Sequence, residues 1–289
     1  MVERDPWADW LLEKRFGGDP ALLAAYLPDL LAYRDRVLEG AAIRPGETVL
    51  DVGCGDGLLG LAALDRVGDG GTVIFSDVSA ELLGECRRIT TERDLVDHCL
   101  FVNTGLPMLD RIEPDSVDVA MTRSVLIYVE DKATAFATLH RVLKSGGRLS
   151  MFEPVNSFAF PEPPGKLWGH DVTDVVELAA KVKRTFAGYL PDPNPMTDFD
   201  ERDLLAHAEA AGFVEIGLDY RVEIGAEPAP DLDVLLKASP NPYVPPLGEV
   251  LDQALTPAER EELVTHLRDQ IDAGLRRRRS ATVLLTATR

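Results

Sequence analysis

The feature that most constrains the fold is a glycine-rich stretch, VLDVGCGDGLLG, at residues 49–60. It places four glycines within eight residues, directly after a short apolar run. Each glycine costs conformational entropy on folding, so such a cluster is favoured where backbone has to approach something closely. A tight turn without a ligand is therefore the weaker interpretation. The stretch predicts a ligand-holding loop between a buried strand and a helix.

Two classes of cofactor compete for this loop. Read from Gly55, it fits the G-x-G-x-x-G pattern of nicotinamide and flavin dinucleotide sites. Read from Asp51, it is D-x-G-x-G-x-G. Asp77 follows at a distance that suits ribose hydroxyls in either case. Asp51 discriminates, because a carboxylate before the loop repels a pyrophosphate and suits an ammonium or sulfonium group.

Strands and helices alternate through the first half of the chain. Runs rich in Val, Ile and Phe predict buried strands at TVLDV, 72–77, 99–103, 116–122 and 147–153, with helices between them. Such alternation is typical of parallel βαβ units in a doubly wound α/β sheet. A helix at 199–213 and strands at 213–224 and 281–288 follow later.

The ordered set of motifs resembles class I S-adenosylmethionine-dependent methyltransferases of the small-molecule type. VLDVGCGDG is followed by FSDVS, SVDVAMTRSVLIYVED and LHRVLKSGGRLSMFEP, which together cover roughly residues 43–154. Residues 199–224 and 281–288 fit more loosely. The resemblance implies a Rossmann-like seven-stranded sheet with an antiparallel last strand, and S-adenosyl-L-methionine as cofactor. The sequence is also similar to the arsenite-methylating and quinone-methylating groups.

The resemblance carries cofactor contacts over to particular positions. The methionine end would lie against Asp51 and the loop residues Gly53, Cys54, Gly55 and Gly57. Asp77 would hold the ribose hydroxyls, Val78 would pack on the adenine, and Thr122, Arg123 and Ser124 would lie beneath the cofactor near the transferred methyl.

One departure from the family concerns the adenine amine. Many members have an acidic residue after the third strand, whereas this chain reads NTGLPML at 103–109. The adenine contact therefore falls to Asn103, Thr104 or the backbone at Gly105 and Leu106, or adenine is held less specifically.

The remaining segments predict helical additions to the core. We expect an N-terminal helical lid, two insertions and three core segments. Their boundaries are 1–42 for the lid, 43–155 for the cofactor-binding core, 156–198 for a cap insertion, 199–225 for a core helix and sixth strand, 226–280 for a second helical insertion and 281–289 for the final strand. The aromatic cap favours a closed pocket for a small molecule. The second insertion is either a further pocket wall or a homodimer surface.

Two residues are candidates for catalysis, His170 and Glu153. His170 lies in LWGHDVTD within the cap, where the carboxylate of Asp171 or Asp174 would raise its basicity; the alternative is a structural histidine. Glu153 follows the fifth strand, at the sheet edge where ligands bind; the alternative is a turn. Substrate contacts are predicted for Tyr128, Asn156, Trp168 and Tyr33, and Arg34 is a candidate for the cofactor carboxylate unless its helix only packs on the core.

Composition excludes several function classes. With 49 acidic and 30 basic residues, the net charge of −19 disfavours a nucleic-acid partner or an anionic membrane. No apolar run is long enough to span a bilayer and no signal peptide is evident, so a cytoplasmic protein is expected. The three cysteines lack metal-ligand spacing, so no metal is expected. Arsenite is an improbable substrate, because it needs several thiols, whereas Cys54 lies in the cofactor loop and only Cys86 and Cys99 remain. The basic run at 276–279 is predicted to be a solvated helix end.

The sequence thus predicts methyl transfer from S-adenosylmethionine to a small, partly apolar molecule, by in-line displacement in a capped pocket. Oxygen is favoured over nitrogen or carbon as the acceptor. The alternative is a protein of the same fold that binds the cofactor but catalyses a cyclisation or elimination, or uses the cofactor structurally. A dinucleotide oxidoreductase is the third possibility.

Overall fold

The computed structural model describes residues 5–226 and 231–289. Seven strands form one sheet in the order β3-β2-β1-β4-β5-β9-β8, and two short strands, β6 and β7, form a separate hairpin. The strands are β1 Thr48–Val52, β2 Thr72–Asp77, β3 Cys99–Asn103, β4 Val117–Arg123, β5 Leu143–Pro154, β6 Lys166–Leu167, β7 His170–Asp171, β8 Val214–Ala226 and β9 Arg277–Thr288. Strands β1 to β5 pair in parallel, and β9 runs antiparallel to β5. The predicted fold class is confirmed.

Helices flank the strands, and side-chain caps mark the start of several of them. They are α1 Pro6–Asp9, α2 Pro20–Ala41, α3 Gly60–Val67, α4 Ala80–Glu92, α5 Lys132–Val142, α6 Val176–Ala187, α7 Glu201–Ala211, α8 Leu232–Lys237, α9 Leu247–Ala254 and α10 Pro257–Asp272. Asp200 and Thr256 each form a capping box at the start of α7 and α10. Gly212 ends α7 in the left-handed region, at φ 95°. Within the described ranges, no helix has the length and apolar character needed to cross a membrane.

The chain divides into two compact units, of which one contains most of the sheet. This core unit comprises residues 28–155, 195–221 and 282–289. Its core contains Val49, Phe75 and Met121, which lie on the neighbouring strands β1, β2 and β4 and are completely buried. The second half of α2 belongs to this unit, and its Leu38 is buried in the same apolar cluster as Val49, Phe75 and Met121.

The second unit comprises residues 5–27, 156–194, 222–226 and 231–281 of the described chain. Apolar faces of α6, α9 and α10 pack together around Val182, Leu251 and Leu263, which are completely buried. The two predicted insertions therefore share one hydrophobic core. Residues 1–4 of the predicted lid and 227–230 of the second insertion lie outside the described residues.

The basic run at 276–279 is not a helix end, so that prediction is wrong. Helix α10 ends at Asp272, Gly274 adopts φ 66°, and β9 already begins at Arg277. From there exposed and less exposed side chains alternate into the buried part of β9. Two of these arginines have partners: Arg278 forms an ion pair with Glu223, and Arg279 stacks over the Phe158 ring. Because residues 276–279 are all arginines, their hydropathy shows no alternation in the sequence. The exposure of the side chains nevertheless alternates from the start of β9.

Candidate functional site

The glycine loop leaves the carboxyl end of β1, at the point where the strand order reverses. Strand β1 lies between β2 and β4. The strands β2 and β3 extend the sheet on one side of β1, and β4 and β5 then extend it on the other side. Gly53, Gly55 and Gly57 all have positive φ, at 64°, 55° and 87°. A Cβ on Gly53 would lie 2.5 Å from Val125 Cγ2. The loop therefore needs glycine for conformation and, at Gly53, also for space.

Gly60 has a different reason to be glycine. It starts α3 and is absent from the residues with positive φ. A Cβ there would lie 2.3 Å from Cε1 of Phe75, so this glycine lets α3 pack against β2. The dinucleotide pattern that ends at Gly60 thus includes a position needed for helix packing.

Asp51 is a buried carboxylate at the end of β1. It is 1% exposed, and its Oδ2 accepts a hydrogen bond of 2.7 Å from the Gly60 N–H. Burial raises the pKa of Asp51 to about 7, and the negative charges of Asp77 and Asp56 add to this, while the Gly60 N–H and Arg123 oppose it. A cation placed beside Asp51 would favour its ionised form, so the site is suited to a positively charged ligand group.

Asp77, at the end of β2, connects the glycine loop to α4. Its Oδ2 accepts from the Gly55 N–H and its Oδ1 from the Ser79 N–H, both at 2.9 Å. The next residue, Val78, is an apolar side chain that is 56% exposed. Gly105 faces it, because a Cβ on Gly105 would lie 2.6 Å from Val78 Cγ1. An exposed apolar side chain after a carboxylate offers a flat ligand ring a surface to pack on.

Asn103 stands at the end of β3, where the related family often has an acid. Its Nδ2 donates to the carbonyl oxygens of Asp77 and Val78, both at 2.9 Å. Both amide hydrogens are thus used within the protein, and the Oδ1 remains as an acceptor. Thr104 is 8% exposed and donates through Oγ1 to Asp110 at 2.6 Å. This hydrogen bond lowers the pKa of Asp110, a residue that sequence reasoning missed because it lies beyond the expected motif.

The end of β4 brings a hydroxyl and a guanidinium to the same edge of the sheet. Thr122 pairs with Val52 of β1 and is completely buried, and its Oγ1 has no hydrogen-bond partner among the residues that the structure describes. Burial lowers the pKa of Arg123, against the opposing charges of Asp56, Glu153 and Asp51. Ser124 has φ 55°, and its hydroxyl accepts a long hydrogen bond of 3.5 Å from Arg123.

Glu153, at the end of β5, holds a backbone segment. It is completely buried, and its carboxylate accepts from Val125 N and Leu126 N at 2.9 and 3.1 Å and from Ile127 N at 3.4 Å. Burial raises the pKa of Glu153 to about 7, against the lowering effect of these three N–H groups and Arg123. Three backbone donors on a buried carboxylate are the arrangement of a positioning residue.

The other predicted contact residues of the core unit have structural partners. The Tyr33 ring stacks on Phe152, with centroids 4.3 Å apart, and Arg34 donates to Asp35 at 2.8 Å. Tyr128 ends a short 3-10 helix, Leu126–Tyr128, and is half-buried.

Three further candidates, Asn156, Trp168 and His170, lie in the second unit. Asn156 begins the 3-10 turn Asn156–Phe158, and its carbonyl accepts from two later N–H groups. Trp168 has φ 52° in the turn between β6 and β7. His170 is 1% exposed.

The prediction that a neighbouring carboxylate raises the basicity of His170 is wrong. Burial lowers its pKa to about 4, and the positive charges of Arg276, His266 and Lys166 lower it further. The neighbouring carboxylate of Asp171 accepts from Lys166 and Thr173 instead.

The chain is similar to known methyltransferases over part of its length. Residues 49–147 match the family model described as a methyltransferase domain. Among curated proteins, an arsenite methyltransferase from Halobacterium salinarum is 34% identical over 124 residues, covering 42% of this chain and 31% of that protein. The ubiquinone/menaquinone biosynthesis C-methyltransferase UbiE from Xanthomonas oryzae is 29% identical over 169 residues, covering 53% of this chain and 65% of that protein.

A likeness to solved structures extends over most of the chain. The [4+2]-cyclase SpnF has the same fold over 90% of this chain and 81% of that one, with a TM-score of 0.52 and 21% identity. The two curated relatives, in contrast, are matched over about a third and about two thirds of their own lengths.

Proposed function

We propose that this chain, whose residues 49–147 match a methyltransferase-domain model, is a class I S-adenosylmethionine-dependent methyltransferase that transfers a methyl group from that cofactor to a small, partly apolar molecule. The observation that carries the proposal is the buried Asp51 carboxylate beside the three left-handed glycines. The cofactor, when bound, supplies a sulfonium whose methyl is already activated for displacement. What is left to the protein is alignment and exclusion of water.

The donor and acceptor groups of the core unit fit this cofactor. A buried carboxylate suits its positive end, and the partnerless Thr122 Oγ1 offers a hydrogen bond at the same sheet edge. We assign Asp77 to the ribose hydroxyls and Val78 to one adenine face. We assign the Asn103 Oδ1 to the adenine amine, because an acceptor is what an amine requires and both amide hydrogens of Asn103 are used elsewhere. Arg123 is assigned to the carboxylate of the methionine end.

The acceptor proposed is an oxygen of an acidic group. Neither candidate base has the required properties: Glu153 is committed to three backbone N–H groups, and the lowered pKa of His170 makes it a weak base. An acceptor that ionises unaided needs no base from the protein. Arsenite is a poor candidate, since Cys54, Cys86 and Cys99 are all buried.

The competing proposal keeps the cofactor and replaces methyl transfer by a cyclisation. Its support is the fold shared with the [4+2]-cyclase SpnF. The glycine loop and Asp51 serve cofactor binding under either proposal, so the fate of the methyl group separates them.

The test is incubation with cofactor labelled at the methyl group and a small-molecule extract of the source organism. Transfer to a small acceptor predicts label in the organic-soluble fraction, dependent on the protein. Asp77→Ala removes the carboxylate that is assigned to the ribose hydroxyls and should reduce labelling. Asp69→Asn, which changes an exposed carboxylate outside the site, is the control and should not. Label only in acid-precipitated polymer, or unreacted cofactor beside a consumed substrate, would contradict the proposal.

A second test examines the residue assignments with a truncated ligand. S-adenosylhomocysteine has the amino-acid end that Arg123 is proposed to bind, whereas 5′-methylthioadenosine lacks it. Arg123→Met should weaken the first ligand by about tenfold or more and leave the second almost unchanged. Equal weakening of both ligands would refute the assignment of Arg123.

A further inference from the structure

A buried histidine in the second unit has no hydrogen-bond partner within the described residues. His170 is 1% exposed, and neither Nδ1 nor Nε2 forms a hydrogen bond there. Most buried polar side-chain atoms in folded proteins have a partner, so each exception calls for an explanation. A neutral imidazole offers one N–H donor and one lone pair. Both are unused at His170.

The position of His170 is fixed by the hairpin that carries it. His170 pairs with Leu167 across the β6–β7 hairpin. The Glu162 carboxylate accepts from the Trp168 and Gly169 N–H groups at 2.9 and 2.8 Å, which holds the turn. Trp168 and Gly169 both have positive φ, at 52° and 84°, as a two-residue hairpin turn requires.

Basic side chains surround this hairpin. A Cβ on Gly169 would lie 3.4 Å from Cγ of Arg276. His266 Nε2 lies 2.7 Å from the carbonyl oxygen of Asp171, and Lys166 pairs with the carboxylate of the same residue. These charges and burial together keep His170 neutral, with its pKa near 4.

The nearby carboxylates are already engaged. Asp171 accepts from Lys166 at 3.0 Å through Oδ2 and from the Thr173 hydroxyl at 2.7 Å through Oδ1. Glu162 accepts from the two turn N–H groups. A metal ion does not suit this environment, because the local charge is positive and no three His, Cys, Asp or Glu side chains of residues 5–226 and 231–289 could hold one.

We propose that the His170 hairpin binds an anionic group of a small molecule, a carboxylate or a phosphate, with the imidazole N–H as hydrogen-bond donor and Arg276 as the source of positive charge. His170 and the three basic residues near it, Lys166, His266 and Arg276, all belong to the second unit. The proposal therefore stands independently of methyl transfer. It also gives a function to the basic residues around the hairpin, Lys166, His266 and Arg276, in a chain whose net charge is −19.

The test is NMR of the five histidine side chains in the full-length protein, labelled with ¹⁵N. Inorganic phosphate and acetate are titrated separately, at constant ionic strength kept with chloride. His170 is assigned with His170→Gln, and in the unchanged protein also by its low pKa. We expect a saturable shift of the His170 nitrogens and a rise of its pKa with bound anion, because the anion stabilises the imidazolium.

Two arginine variants provide the comparison. Arg276→Met should weaken anion binding by about tenfold, whereas Arg268→Met, whose arginine pairs with Asp233, should leave it unchanged. Saturation by phosphate alone supports a phosphate-bearing ligand, and saturation by acetate as well supports a carboxylate. No saturable shift with either anion, or equal affinity in Arg276→Met and the unchanged protein, would overturn the proposal.

Discussion

Cofactor affinity should depend on pH through the ionisation of Asp51. This carboxylate is 1% exposed and, without a bound cation, its pKa lies near 7. The cofactor brings positive charge to the proposed site, and only the ionised carboxylate attracts it. Binding therefore lowers the pKa of Asp51 and releases a proton from the fraction that was protonated.

The magnitude follows from the pKa. With a pKa of about 7, Asp51 is ionised in about a tenth of the molecules at pH 6 and in about nine tenths at pH 8. Because the apparent dissociation constant scales inversely with the competent fraction, affinity should be about tenfold weaker at pH 6 than at pH 8. At pH 7 about half a proton should be released for each cofactor bound.

Isothermal titration calorimetry measures both quantities, in two buffers that differ in ionisation enthalpy. Asp51→Asn removes the titrating group and should flatten the dependence, while the ligand's own titration remains in both proteins. Glu153→Gln is the matched control, since Glu153 has a similar pKa and is assigned to backbone positioning. A dependence that is the same in Asp51→Asn and the unchanged protein, or affinity that rises towards acidic pH, would refute the reasoning.

Three further predictions concern stability and the loop. The pKa values of Asp51 and Glu153 are raised on folding, so the folded state holds more protons than the unfolded state. As the pH rises from 5 to 8, the free energy of unfolding should therefore fall by about 2–3 kcal/mol per group at most. A stability in urea denaturation that does not depend on pH would contradict this. Glu153→Ala should destabilise the protein by about 3 kcal/mol, because three backbone N–H groups lose their acceptor; a loss below about 1 kcal/mol in urea denaturation would count against it. Gly53→Ala should abolish cofactor binding in calorimetry, whereas Gly68→Ala, also at positive φ but with open space around it, should retain binding although it destabilises the fold by about 1–3 kcal/mol; similar affinity in both variants would contradict the assignment of the loop.

The conformation of the glycine loop could be predicted because its signals are local. The left-handed conformations of Gly53, Gly55 and Gly57 favour glycine, and the short β-branched run TVLDV before them is typical of a buried strand. Asp51 and Asp77 stand at the ends of adjacent parallel strands, and chain order alone brings such ends to one edge.

The roles of Glu153 and His170 depended on contacts that no local pattern encodes. The three partners of Glu153 come from residues 26–28 positions earlier, and a strand end looks the same whether its carboxylate binds substrate or backbone. His170 appeared to have an acidic neighbour in the sequence, yet the charges that reach it come from Arg276 and His266, about a hundred positions away. Tertiary contacts of this kind also gave Asn103 its orientation.

The central claim is that the methyl group leaves the cofactor and joins a small acceptor. The most direct measurement follows trideuteromethyl cofactor by mass spectrometry, counting S-adenosylhomocysteine and labelled product in the same reaction. The account predicts equal amounts of the two, with the three deuterium atoms retained in a small organic product. Product formation without S-adenosylhomocysteine, or without deuterium in the product, would contradict it.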